Sequence, residues 1–274
     1  MRLGVFVTLT DDLEEEFEKL RSNGFSTCQL SCWNPAMMTD EYAEKVNRAV
    51  EKYGIEITAF WCGWTGPAVW DFYEGPLTLG LVPETYRYHR LQELKLGSDF
   101  AKKFHVTDVI THMGFLPEVP ASEQYHAMVS VIKQIAAHCK ANEQYLLFET
   151  GQETPVTVLR AIEEIGLENV GINFDTANLI LYGKGNAADA VLVFGKYIRD
   201  THIKDGFYPT NGTELGKEAP AGEGLADLPL VLKRLKEVGY TGPFTIEREI
   251  SGEKQIADIK HARDLLREIE KNLK

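Results

Sequence analysis

YLLFETGQETPVTVLRAIEEIGLENVGINFDTANL, running from Tyr145 to Leu179, is the stretch on which the fold turns. YLLFE from Tyr145 is a short apolar run of strand character, and a segment with helical periodicity follows it at about 155–165. Gly166 sits where that helix should stop, and VGINFD from Val170 supplies the next strand. The order strand, helix, glycine, strand reads as one βα unit followed by the start of another, the pattern of a parallel sheet.

Outward from this unit the pattern recurs. RLGVFV from Arg2, FSTCQLS from Phe25, IEITAFW from Ile55, DVITH from Asp108, IRDTHIK from Ile198 and PFTIE from Pro243 bring the expected strands to eight. Helices are expected at about 11–22, 39–53, 84–104, 121–140, 155–165, 187–196, 227–238 and 254–272. Thr10-Asp11-Asp12, Thr39-Asp40-Glu41 and Ser122-Glu123 offer N-cap oxygens and acidic first turns, while Gly24, Gly54, Gly166 and Gly239 mark helix ends. RSNGFSTCQL, EKYGIEITAF, EEIGLENVGI and KEVGYTGPFTI share the helix, glycine, strand phrase, but too loosely to count as a sequence repeat. No linker or low-complexity segment divides the chain. The fold class is therefore α/β, a single (β/α)8 TIM barrel domain over residues 1–274, in keeping with the roughly 250 residues such barrels use.

Two connections, 63–83 and 205–226, are too long for simple turns, and both follow strands, which places them on the face where barrel enzymes build their sites. The first carries Trp64, Trp70, Phe72 and Tyr73, a composition that fits an ordered lid rather than a disordered loop.

Composition narrows the partners. Lys plus Arg is 29 against 41 for Asp plus Glu, a formal −12 that disfavours nucleic acid and anionic membrane surfaces. The start MRLGVFVTLTDD lacks a signal-peptide cleavage pattern and no run approaches a membrane span, so a cytoplasmic protein is expected. Cys28, Cys32, Cys62 and Cys139 form no CxxC pair and read as reduced thiols. Homo-oligomerisation is left open by the sequence.

Four metal-capable side chains stand at or near the ends of strands five to eight: Glu149 in YLLFETG, Asp175 in GINFDTANL, His202 in RDTHIKDG and Glu247 in PFTIERE. A strand-terminal acid is often only a helix cap, but a barrel gathers such ends around one axis. Three carboxylates and an imidazole make a mostly hard shell of formal charge −3, suited to one divalent ion. Mn²⁺ is the expected ion, with Mg²⁺ or Co²⁺ as alternatives.

The phrases FETG, FDTANL, THIKDG, GEGLADLP and GYTGPFTIERE resemble the sugar phosphate isomerase/epimerase family of the xylose isomerase-like superfamily, over about residues 108–250 and more faintly before. Resemblance to its ketose 3-epimerase branch implies that Glu149, Asp175, His202 and Glu247 bind the metal, and that Glu149 and Glu247 also act as the acid/base pair on opposite faces of a small sugar or polyol. The chemistry agrees: a proton beside a carbonyl leaves at neutral pH only if the developing enediolate is stabilised, and a divalent ion can do that. The same shell permits epimerisation, aldose–ketose isomerisation or, if a β-hydroxyl leaves, dehydration. Asn178 stands where epimerases and apurinic endonucleases tend to carry a second histidine, and the DTAN and HIKD wording looks closer to inosose dehydratase-like proteins.

Further substrate contacts are expected from His112, Trp33, Trp61, Trp64, Asn178 and Lys204, where packing or solvation are the bland alternatives. Arg248 and Glu249 read as a rim salt bridge and Glu223 as part of a turn. An apurinic endonuclease-type phosphodiesterase fits poorly, with only seven histidines and a charge of −12, and a barrel that merely binds sugar sits awkwardly with two retained glutamates. No phosphate cradle is evident, so a phosphorylated substrate is not implied by the family name.

Overall fold

The computed structural model describes residues 1–273. Eight strands, Leu3–Thr8, Thr27–Cys32, Glu56–Cys62, Asp108–Thr111, Tyr145–Glu149, Val170–Asp175, Ile198–Ile203 and Phe244–Ile246, pair in parallel with their chain neighbours. Leu3 pairs with Phe244 and Val5 with Ile246, so the eighth strand closes on the first and the sheet is a barrel. The chain is one (β/α)8 domain, as its sequence pattern implies.

The largest hydrophobic cluster lies between strands and outer helices, where Phe17, Val46, Leu94, Ile132, Val158, Phe194, Leu232 and Leu266 are all buried. Each of these comes from the apolar stripe of a different helix, and the strands meet them with the alternate residues that face outward. Two of the three expected helix starts are capped as the sequence signals, with Thr39 and Ser122 accepting hydrogen bonds from Tyr42 and Tyr125 N–H, and Thr154, not among the expected caps, accepts from Thr157 N–H. A cap of this kind stabilises a helix by about 1 kcal/mol. Asp12 is an exception, preceding the helix Leu13–Ser22 without a side-chain cap bond. Gly54 and Gly166 end their helices in the left-handed conformation with φ of 62° and 64°, which glycine adopts without steric cost.

The connection 63–83 is ordered and holds a one-turn helix, Gly75–Thr78. Its anchor is Arg90, a fully buried guanidinium on the helix Glu84–Lys102. Arg90 donates to the carbonyls of Thr78 and Gly80 at 2.6 Å, of Pro67 at 2.9 Å and of Thr65 at 3.3 Å, binding the loop to the barrel through main-chain oxygens alone. Burial pushes its pKa down to about 10. At the loop's end the backbone passes close to the segment after the fourth strand: Leu81 N–H donates to Met113 at 2.9 Å, and a Cβ on Gly80 would lie 2.3 Å from the Met113 carbonyl. Only glycine fits there.

The second long connection, 205–226, begins in a two-stranded antiparallel ribbon, Asp205–Gly206 against Glu218–Ala219. Asp205 organises its return, because its carboxylate accepts the N–H groups of Gly222, Gly224 and Ala226. The two connections touch where Phe72 N–H donates to Thr213 O at 2.9 Å. Among the described residues no helix is long and apolar enough to cross a membrane, and all four cysteines are free and buried.

Candidate active site

Glu149 and Asp175 end the fifth and sixth strands, His202 lies one residue before the end of the seventh, and Glu247 follows the eighth. Parallel register brings them level, since Asp175 pairs directly with His202. Each offers one donor atom, and those four atoms lie within 4.8 Å of one another.

The ring of His202 is fixed from across the barrel. Gln29 on the second strand donates its amide N–H to Asn173 Oδ1 at 3.0 Å, which leaves Gln29 Oε1 as an acceptor 2.6 Å from His202 Nε2. Nε2 therefore carries a proton, and Nδ1 faces the carboxylates: 3.1 Å from Glu149 Oε1, 3.1 Å from Glu247 Oε2 and 3.8 Å from Asp175 Oδ2. An outer hydrogen bond of this kind sets the tautomer of a metal-binding histidine. Burial opposes a charged ring here, but Glu247 and Glu149 outweigh it and lift the His202 pKa well above its ordinary value.

Asp175 is held by one oxygen only. Oδ1 accepts the N–H groups of Ala177 and Asn178, both at 2.7 Å, while Oδ2 is buried without a hydrogen-bond partner. Burial pushes the Asp175 pKa up to about 8, Glu247 and Glu149 adding to the effect against Lys204 and His202. An orphaned buried oxygen, an imidazole nitrogen aimed at it and two more carboxylates fit a divalent cation, which would supply the missing partner.

Glu149 is more fully engaged. Its Oε2 accepts the indole N–H of Trp61, and Oε1 receives Asn178 Nδ2 at 3.3 Å with His112 Nε2 at 3.4 Å. Burial disfavours its ionised form, but His112 and His202 together bring the pKa below the usual carboxylate value. Burial likewise opposes ionisation of Glu247, and Lys204 with His202 overcomes it, so its pKa is lowered too.

The cavity above these groups has a volume of 260 Å³ and is lined by Glu149, Glu247, Glu249, His112 and Asn178 on its polar side. Phe6, Trp33, Trp61, Trp70, Leu181, Tyr182 and Leu215 form the apolar side. Of the expected substrate contacts, His112, Trp33, Trp61 and Asn178 line this cavity. Two other expected contacts do not line the cavity. Trp64 is buried behind Trp33 and Trp61, with the Arg90 guanidinium carbon 5.2 Å from its ring centre, so it packs the root of the lid while Trp70 takes the wall position. Lys204 is fully buried beneath the lining, its ammonium 3.2 Å from Glu247 Oε2, 3.4 Å from Asn178 Oδ1 and hydrogen-bonded to Glu249. Burial alone would lower its pKa, but Glu247, Glu249 and Asp175 raise it well above that of a free lysine. Glu249 forms the rim pair with Lys204, and Arg248 turns away to Glu218 at 2.6 Å and Asp258 at 2.8 Å. A larger groove of 470 Å³ between the first and last helices, lined by Val5, Leu20, Phe25 and Ile256 among others, holds none of the four clustered donors.

Sequence reasoning missed Gln29, the middle of three polar residues, Thr27, Gln29 and Ser31, that alternate with Cys28, Leu30 and Cys32 along the second strand, where alternation was the available signal. It also missed Glu153, which is fully buried with neither carboxylate oxygen in a normal hydrogen bond. Burial pushes its pKa up from 4.5 to about 8. A carboxyl whose folded pKa is raised gives stability that is present in full below pH 4.5 and lost as pH rises through about 8. Glu153→Gln is accordingly expected to stabilise the protein at pH 9 by roughly 2–4 kcal/mol, with the gain vanishing near pH 4. Urea unfolding at the two pH values checks this, and an equal effect at both would contradict it.

The chain matches the family model described as xylose isomerase-like TIM barrel over residues 17–269. It is similar to the crystal structure of a xylose isomerase domain protein from Planctomyces limnophilus, at 33% identity and TM-score 0.93, covering 99% of this chain and 98% of that one. A D-tagatose 3-epimerase-like protein shares the fold at 18% identity and TM-score 0.76, over 100% and 98% of the two chains. So does a probable 3-DHS dehydratase from Bacillus anthracis, at 16% identity and TM-score 0.68, over 96% and 98%. With its closed parallel barrel and the family match along nearly its whole length, this chain belongs to the xylose isomerase-like TIM barrel family.

Proposed function

We propose that this protein is a divalent-metal-dependent enzyme that isomerises or epimerises a small sugar or polyol by moving a proton at a carbon beside a carbonyl. The observation that carries the reading is the convergence of Glu149 and Glu247, each 3.1 Å from His202 Nδ1, at the floor of an indole-walled cavity. Glu149, Asp175, His202 and Glu247 would hold the ion, with Mn²⁺ the first expectation and Mg²⁺ or Co²⁺ next. When bound, the ion supplies Lewis-acid polarisation of a substrate carbonyl and offsets negative charge that develops on its oxygen.

The residues do the rest. Glu149 and Glu247 approach from strands five and eight, so a substrate seated between them meets one carboxylate on each side. One removes the proton and the other returns it. His112 and Asn178 line the cavity beside Glu149 and orient substrate hydroxyls, and the lid with Trp70 keeps water from the reacting carbon. The similarity to a D-tagatose 3-epimerase-like fold supports this reading.

A dehydratase is the second reading. A probable dehydratase shares the fold, and whichever of Glu149 and Glu247 has taken the proton lines the cavity and could give it to a departing hydroxyl, releasing water. The metal-loaded protein should be incubated in D₂O with free ketoses, inososes and keto-glycosides, followed by NMR. Deuterium entering beside the carbonyl is the expected result; a second sugar shows isomerisation or epimerisation, and loss of water shows the lyase. A panel showing neither exchange nor turnover would overturn the enzyme assignment.

A further inference from the structure

The aromatic wall has a shape that selects among polyols. Trp33 and Trp61 lie 4.7 Å apart, tilted by 33°, and form a nearly continuous floor. Trp70 stands at 86° to Trp33 with ring centres 6.3 Å apart, so the two indoles make a right-angled corner. His112 extends the same wall, 5.2 Å from Trp70 and 5.8 Å from Trp61. Phe6 closes the other side, 6.4 Å from Trp61. A corner of rigid rings covers one face and one edge of a flat, rigid disc. It covers a flexible chain only after that chain has given up its rotational freedom.

Size and charge add two further limits. At 260 Å³ the cavity lies just under the range of drug-sized sites, enough for one six-membered ring with its hydroxyls. No lysine or arginine among the described residues lines it. Glu149, Glu247 and Glu249 line it, with Asp175 and Lys204 beneath, so that with a divalent ion bound and His202 neutral four carboxylates against one ammonium and the ion leave −1. A phosphate or carboxylate on the substrate would meet net negative charge and, away from the ion, no lysine or arginine in the lining to pair with it.

Building on the sugar or polyol reading above, we infer that the site takes a single ring-closed, uncharged polyol or keto-polyol, seated in the Trp33–Trp70 corner, in preference to an open-chain or phosphorylated sugar. The probes that isolate this are myo-inositol and sorbitol, which carry six hydroxyls each and differ in ring closure, with myo-inositol 1-phosphate as the charged counterpart. All four tryptophans of the chain stand in or behind this wall, so quenching of intrinsic fluorescence in the Mg²⁺-loaded protein reports binding.

Inositol should bind about tenfold or more tightly than sorbitol, because the ring arrives already ordered, and tenfold or more tightly than its phosphate. Trp70 is partly exposed on the lid, so Trp70→Ala should fold normally and should bring inositol down to the sorbitol level. Sorbitol binding as tightly as inositol, or the phosphate binding more tightly, would overturn the inference and leave the sugar reading standing. Retention of the preference in a folded Trp70→Ala protein would overturn the role of the corner. If no polyol binds while Mg²⁺ does, the sugar reading fails and this inference falls with it.

Discussion

Glu149→Gln and Glu247→Gln proteins are expected to keep most of their affinity for a divalent ion and to lose on the order of 10²–10⁴ in turnover. The change preserves shape and one oxygen, so the ion keeps a ligand at each position, while the basic carboxylate is gone. Both residues stand at strand ends, one on the fifth strand and one just after the eighth, each 3.1 Å from the same imidazole nitrogen. Solvent exchange separates their tasks. Loss of the glutamate that removes the proton should stop deuterium entry, and loss of its partner should slow turnover while exchange continues. Two variants that load metal and turn over at the parental rate would refute the proposed mechanism.

Asp175→Ala and His202→Ala act on the other half of the site, and both should lose more than about 10²-fold in metal affinity. Removing an outer hydrogen bond at a metal site already costs 10–100-fold, and these residues would be ligands themselves. Asp175 carries the buried oxygen with no hydrogen-bond partner among the described residues, and His202 carries the nitrogen whose tautomer Gln29 sets. Calorimetric titration of each variant with Mn²⁺ measures the loss. Parental affinity in either would show that the ion, if bound, is held elsewhere. Circular dichroism of the unloaded proteins should show the barrel intact, because the cluster contributes little apolar burial.

The barrel was legible because its strands and helices differ so plainly in period, and because glycines such as Gly54 and Gly166 mark helix ends with a conformation that other residues avoid. The four clustered donors were legible because strand ends converge in any closed parallel sheet. What the sequence withheld lies in loops and in the far side of the barrel. Asp12 has the right chemistry for an N-cap but φ and ψ of −95° and 27°, outside the extended region that points a cap side chain at the helix. Trp64 and Trp70 look equivalent in a linear reading, yet Arg90 pins the first beneath the lid and leaves the second to form the wall. Gln29 touches His202 across 173 positions of sequence, a contact that no local pattern encodes. Lys204 shares its strand face with His202, as expected, but neighbouring acids hold it under the lining rather than within it.

The hydrogen bond from Phe72 to Thr213 joins two segments that are separate in the gene and continuous in space. Together they make a single arch, so a change of length in one half displaces a hydrogen-bond partner of the other. An engineer who transplants the lid of a relative to alter specificity would leave the other half without its abutment. Natural drift faces the same bargain, so insertions in one segment should be answered by insertions in the other, and new specificities in this fold should arise by exchanging the arch whole.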